Sequence, residues 1–369
     1  MIKLISTIFL TIFIHPLWAD SHAKDIDPAY LDPAYTDLIR VSTERLHEER
    51  STVNDVFAII DKSTPVKAQV NRGTCSIFSA IAMLETMLVI KKDLPNDIDF
   101  SEEYLEYLVV RNRTSDGSNS SRNFLAIANH GIPEEKAYPY IGDDWLEMPW
   151  ASLPEKRCGY LQGDKKRSCL IIHRDPSLFE LNDEELLDPA LKTYDPEFVV
   201  ARNEAQKIRD RYIDIRTRKF SLYSVEQVKQ NLQQGIPVTL GIRFFYGAWN
   251  HRKSVDYGIG RNMTNWNLGL VGYPEPGSVD RLESPKHDAG HSILVVGYDD
   301  SKIVNTEVKM QDGSIQHFRY QGVYYFKNSW GTVGFGKDFV LGGRSLPGYG
   351  MISQKHAHEH GGFFHLPLQ

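Results

Sequence analysis

The sequence predicts an α+β protein in which a helix-rich first half packs against a strand-rich second half. Three observations predict it. The chain has 369 residues, 41% hydrophobic and 24% charged, enough to bury a full core. Up to Gly235 the recognisable segments are helical, opened by capping residues and closed by glycines. Beyond it they are strand-like runs broken by turn residues. A cleft between two such units is a usual place for a site.

Taken in order, residues 1–23 place Lys3 before an apolar run from Leu4 to Ile14 and end in small residues suited to cleavage after Ala19 or Ala23. The run is too short to span a bilayer, so it reads as a signal peptide rather than an anchor. The mature protein is then expected to be exported, to a periplasm, the medium or the lumen of a secretory or lytic compartment, with no stable membrane insertion. Residues 24–60 form an N-terminal extension with the near-repeat DPAYL, DPAYT and the charged stretch TDLIRVSTERLHEER. It reads equally as a short propeptide over a cleft and as a helix docked on the domain.

A helix-rich unit is expected over 61–223. CSIFSAIAMLETMLVIKK is one long helix starting at Cys75, apolar around most of its circumference and therefore buried. SEEYLEYLVVRN, capped by Ser101, and SSRNFLAIANHG, ended by Gly131, are two more. Residues 141–223 are charge-rich and read as an insertion carrying Cys158 and Cys169. The β-rich unit spans 224–350: SVEQVKQNLQQG is a helix between Ser224 and Gly235, followed by strands in IPVTLGIRFF and HSILVVGY, a hairpin turning at Asp312-Gly313, and GVYYFKNSW. The C-terminal segment 351–369 contains HAHEHGGFFH. Its His356, His358 and His360 read as part of a solvated tail rather than a metal site, because no carboxylate or thiol set of known spacing accompanies them.

The net charge of −6, with no Lys/Arg stripe carrying interleaved aromatics, argues against a nucleic-acid partner. There is no P-loop, no Gly-x-Ser-x-Gly elbow and no His-Glu-x-x-His helix. Of the three cysteines, Cys158 and Cys169 flank a short loop and are expected to pair in an oxidising compartment. Cys75 is the thiol left over, and it opens a buried helix, where the positive end of the dipole favours a nucleophilic thiolate.

VKAQVNRGTCSIFSAIAMLE resembles the active-site segment of the papain and cathepsin family, with Gln69 six residues before Cys75. DAGHSILVVGYDD resembles the family's strand that begins with the catalytic His, here His291, and YYFKNSWGTVGFG its Asn segment, here Asn328 and Trp330. HGIPEEKAYPYIG and QQGIPVTLGI are weaker matches, and the resemblance covers roughly 65–140 and 224–350. It implies a papain-like fold: a helical left subdomain with the long central helix, a β-barrel-like right subdomain, and a site in the cleft between them. It implies a cysteine-type peptidase with Cys75 as nucleophile, His291 as base and Asn328 holding the imidazole. Gln69 and the Cys75 N–H would form the oxyanion hole, and Trp330 would shield the His–Asn bond. No metal or organic cofactor is implied. The implied partners are peptide or protein substrates and protein inhibitors of cysteine proteases.

Three departures stand out. Arg72 replaces a cysteine that commonly precedes the nucleophile, so that disulfide cannot form. Ser76 replaces a Trp that shapes the cleft wall. Asn119-Ser120-Ser121 stands near the family's Gly-Gly stretch. The alternatives to an endopeptidase are an exopeptidase with one cleft end blocked by 141–223, and an inactive relative that binds peptides or proteins.

Overall fold

The computed structural model describes residues 55–369 and the backbone of one further strand, β1 (Ala29–Tyr30). The signal peptide expected at 1–23 and most of the 24–60 extension lie outside the described residues. Among those described, no helix is long and apolar enough to cross a membrane.

The fold is α+β. Asp55 caps α1 (Val56–Ile60) by accepting from the Phe57 N–H. In α2 (Cys75–Lys92) side chains on every face are buried from Cys75 to Val89, as a helix apolar all round requires. Around it pack α3 (Glu102–Val110), capped by Ser101, and α4 (Ser120–His130), capped by Asn119 and closed at Gly131. Gly131 has φ 71°, and a Cβ there would lie 2.1 Å from the Ala205 carbonyl, so only glycine lets the helix that carries Ala205 approach. The 141–223 insertion holds α5 (Ser152–Cys158), α6 (Gly163–Ile172), α7 (Asp183–Leu187) and α8 (Pro196–Tyr212), the last packed on α4. The Cys158–Cys169 disulfide joins α5 to α6 with a Cα separation of 5.7 Å, an ordinary value.

In the second half, α9 (Val225–Gln233) begins at Ser224 and leads to β3 (Val238–Arg243). The long strands β5 (Ala289–Lys309) and β6 (Ile315–Lys327) form a hairpin whose turn holds Asp312 and Gly313, the latter at φ 86°. The main sheet runs β2 (Ser221–Leu222), β10 (Gly361–Phe364), β3, β5, β6, β9 (Tyr349–Ser353) and β4 (Leu270–Val271), with β1 on β5, and β7 (Val340–Leu341) pairs with β8 (Arg344–Ser345) in a separate two-stranded sheet. The other labelled helices, α10 (Lys253–Asp256), α11 (Met263–Asn267) and α12 (Val279–Glu283), lie between β3 and β5. The strand-rich unit therefore extends beyond 224–350 at both ends. Helix α2 lies against β5, and Ser79 on its second turn meets Ser292 oxygen to oxygen at 2.7 Å.

The solvated tail expected at 351–369 is not found. β9 pairs with β6, α13 (Gln354–His360) follows, and β10 fills the gap between β2 and β3. The reason is apolar: Phe363, Phe364, Leu366 and Leu368 are buried. The three histidines have separate partners. His356 Nδ1 meets the Gly272 carbonyl at 2.8 Å, His358 Nε2 meets the Tyr324 hydroxyl at 2.7 Å, and His360 Nε2 meets Arg281.

This burial has a consequence in acid. His356 is 0% exposed, and among the described residues its Nε2 has no hydrogen-bond partner. Burial pushes its pKa from 6.5 to about 4, the Gly272 carbonyl opposing the fall. The unfolded chain thus binds the proton first. The contribution is whole above about pH 6.5 and is lost as pH falls toward about 4, roughly 3 kcal/mol in all. Denaturant midpoints between about pH 7 and pH 4 should fall less steeply for His356→Gln than for the wild type. Equal slopes would show that His356 does not set the dependence.

Candidate active site

Cys75 is the first residue of α2 and is 2% exposed. It takes no part in the Cys158–Cys169 disulfide. Thr74 precedes it without capping the helix; its hydroxyl meets the Tyr140 hydroxyl at 2.8 Å, and Tyr140 also donates to the Gln69 carbonyl at 2.8 Å. Tyr140 thus holds both ends of the turn that leads into the helix.

His291 is the third residue of β5, opposite Ile242 of β3, on the strand that α2 packs against. Asn328 follows the last residue of β6 and donates its backbone N–H to the Gly348 carbonyl at 3.0 Å. Its side-chain orientation follows from two donors: Oδ1 accepts from the Ser329 N–H at 2.9 Å and lies 2.8 Å from His291 Nε2. Nε2 therefore carries the proton in the neutral ring, and Nδ1 presents a lone pair. Among the described residues Nδ1 has no hydrogen-bond partner.

The ring is sealed by aromatics. Trp330 stacks on it with centroids 4.5 Å apart, and Trp249 meets it edge-on at 5.1 Å. Burial pushes the His291 imidazole down to about 3; the bond to Asn328 opposes the fall and His251 adds to it. Alone, this ring stays neutral. It becomes an imidazolium only beside a new negative charge, which a thiolate would supply.

A short antiparallel ladder ties the segment before Cys75 to the segment after Asn328: Gln69 N–H to Ser329 O at 2.9 Å, Gly331 N–H to Lys67 O at 3.1 Å, with Ala68 opposite Trp330. The Gln69 amide is fixed at both ends. Oε1 accepts from Ser329 Oγ at 2.8 Å and Nε2 donates to the Arg72 carbonyl at 2.7 Å, leaving one of its two protons. Buried Lys327, beside Asn328, donates to the Thr64 carbonyl at 2.6 Å and so anchors this ladder; burial pushes its pKa down to about 8.

A family model described as papain family cysteine protease matches residues 55–346. The chain belongs to the papain family of cysteine proteases. It is 36% identical over 87 residues to cysteine proteinase 2 of Entamoeba histolytica, 22% of this chain and 27% of that protein. It is 38% identical over 82 residues to cathepsin K of Gallus gallus, 22% of this chain and 24% of that protein. These matches span about a quarter of the length of those curated relatives. The crystal structure of xylellain, a cysteine protease from Xylella fastidiosa, superposes with a TM-score of 0.49 at 15% identity, covering 94% of this chain and 98% of that one.

Within this papain-family fold, two departures find a local explanation. Ser76 Oγ accepts from the Ser118 N–H at 3.2 Å and its carbonyl accepts from Asn123 Nδ2 at 2.8 Å, so it fastens a neighbouring loop instead of forming a bulky wall. Asn119 is taken up in capping α4, and Ser120 is buried in contact with Thr239 at 2.9 Å. Trp249 and the role of Tyr140 escape sequence reading. The Tyr-Pro-Tyr match was the one signal for Tyr140, and Trp249 lies in a stretch with no motif.

Proposed function

We propose that this papain-family chain is an exported cysteine-type endopeptidase acting through Cys75, His291 and Asn328 and a covalent acyl-enzyme. One observation carries the reading. His291 is bound through Nε2 to Asn328 and has no hydrogen-bond partner at Nδ1 among the described residues, on the strand packed against the helix that Cys75 opens. In the scheme, Nδ1 takes the thiol proton, leaving a thiolate at the helix N-terminus and an imidazolium held by Asn328. Sulfur attacks the peptide carbonyl carbon, and the electron pair moves to oxygen, where the remaining Gln69 amide proton and the Cys75 N–H stabilise it. Collapse expels the amine, protonated by Nδ1, and forms the thioester. Water then attacks, gives a proton to Nδ1, and the acid departs as the thiolate returns. Trp330 and Trp249 keep the imidazole dry. The scheme closes without a cofactor. The apolar run in the leader and the Cys158–Cys169 disulfide support export.

The extension reads as a covering segment. β1 pairs antiparallel with β5, Ala29 opposite Gly290 and Tyr30 opposite Ala289, immediately before His291. The test is hydrolysis of a peptide blocked at both ends, by the chain from residue 24 and by one beginning at Asp55. Both are expected to turn over, the shorter at least ~10-fold faster. No turnover by either would overturn the protease reading, and equal rates would overturn the covering role. Cleavage of free-ended peptides alone would make it an exopeptidase.

A further inference from the structure

Arg72 stands three residues before Cys75 and is 4% exposed. A guanidinium at such depth needs an acceptor for nearly every N–H. It reaches Glu103 at 2.7 Å and Glu106, both on α3, and the carbonyls of Ile141 and Ile171 at 2.8 Å each, the first at the start of the insertion and the second in its helix α6. The Tyr140 ring lies 5.1 Å from it. The shell around these partners is also built. Glu103 meets His173 Nδ1 at 2.8 Å and accepts from the Ile141 N–H at 3.2 Å. The neighbouring Gly73 N–H donates to Asp116 at 3.0 Å. Burial opposes ionisation of Glu103, but Arg72 and then His173 hold it down to about 2, so this pair is charged, whereas burial pushes the Glu106 carboxyl well above the usual range against the pull of Arg72.

The other end of the same residue bears on the site. The Arg72 carbonyl accepts from Gln69 Nε2 at 2.7 Å, and that bond together with the one from Ser329 sets the direction of the amide. A buried ionic cluster is a poor source of stability, since apolar residues of like volume commonly do as well. Its rigidity and the fixed fork of the guanidinium, one nitrogen on Glu103 and the Ile141 carbonyl and the other on Glu106 and the Ile171 carbonyl, are what an apolar cluster lacks.

We propose that Arg72 is a positioning residue for the oxyanion hole: its guanidinium, clamped between α3 and the insertion, fixes the carbonyl that aims the Gln69 amide. The proposal rests on the protease reading above and adds a role for the insertion, which supplies two of the four acceptors.

Two full-chain variants test it. Arg72→Lys keeps the charge but has a single ammonium in place of the fork. Arg72→Met/Glu103→Gln/Glu106→Leu removes the charges together, so that no carboxylate is left buried alone if the first variant fails to fold. For each, kcat and KM for a blocked peptide amide are set beside the rate of iodoacetamide alkylation of Cys75, which forms no oxyanion. The expected result is a kcat lower by roughly 10- to 100-fold. KM and the alkylation rate should stay within about threefold, and Gln69→Ala should add less than about threefold in either background. Unchanged kcat in a folded variant, a parallel fall of kcat and alkylation, or a full extra loss from Gln69→Ala would overturn it. Failure of the protease reading looks different: the wild type itself would show no turnover.

Discussion

A His291→Ala protein is expected to hydrolyse peptides roughly 10³- to 10⁴-fold more slowly than the wild type, with a changed pH dependence of thiol alkylation. The argument is electrostatic. Burial holds the lone imidazole near 3, so it does not carry a proton at neutral pH on its own account. In the proposed scheme it gains one only when the sulfur gives one up, and the two then titrate as a pair. In the wild type, alkylation of Cys75 should therefore persist well into acid. In the variant the pair is gone, and the rate should rise only as pH approaches the ordinary thiol range near about 8.5. Glutathione measured alongside supplies the reference profile. Superimposable profiles for variant and wild type would mean that His291 does not share a proton with Cys75.

The parts of the site legible in the sequence are those that sit at fixed places on single elements. Cys75 opens a helix whose apolar residues encircle it, a local pattern, whereas Gln69, six residues upstream, is legible only through its resemblance to the family's segment. His291 and Asn328 stand at the start of β5 and the end of β6, at strand ends with recognisable flanking residues. What was not legible is what arises from long-range packing. The acceptors of Arg72 lie 31, 34, 69 and 99 residues away, and no spacing rule reaches across such gaps. Reading Arg72 as the loss of a disulfide missed that a buried ion cluster occupies the place. The C-terminal correction has the same origin. α13 and β10 are seven and four residues long, too short to show a period, and β10 is held by β2 and β3, more than a hundred residues earlier.

The largest effect is expected at the sulfur. Cys75→Ala removes the nucleophile and should lower cleavage of an unfolded protein by ~10⁴-fold or more. Losing one small buried side chain at a helix start should cost only about 1–2 kcal/mol, so the variant should fold. Trapping gives the most direct measurement: wild type and Cys75→Ala are each treated with an epoxysuccinyl peptide, and the adduct is located by peptide mass mapping while residual activity is followed. One equivalent on Cys75, activity lost in step with it, and an unlabelled, inactive variant are the predicted result. A Cys75→Ala protein that still cleaves at the wild-type rate, or a reagent that stops cleavage while attached elsewhere, would contradict the account.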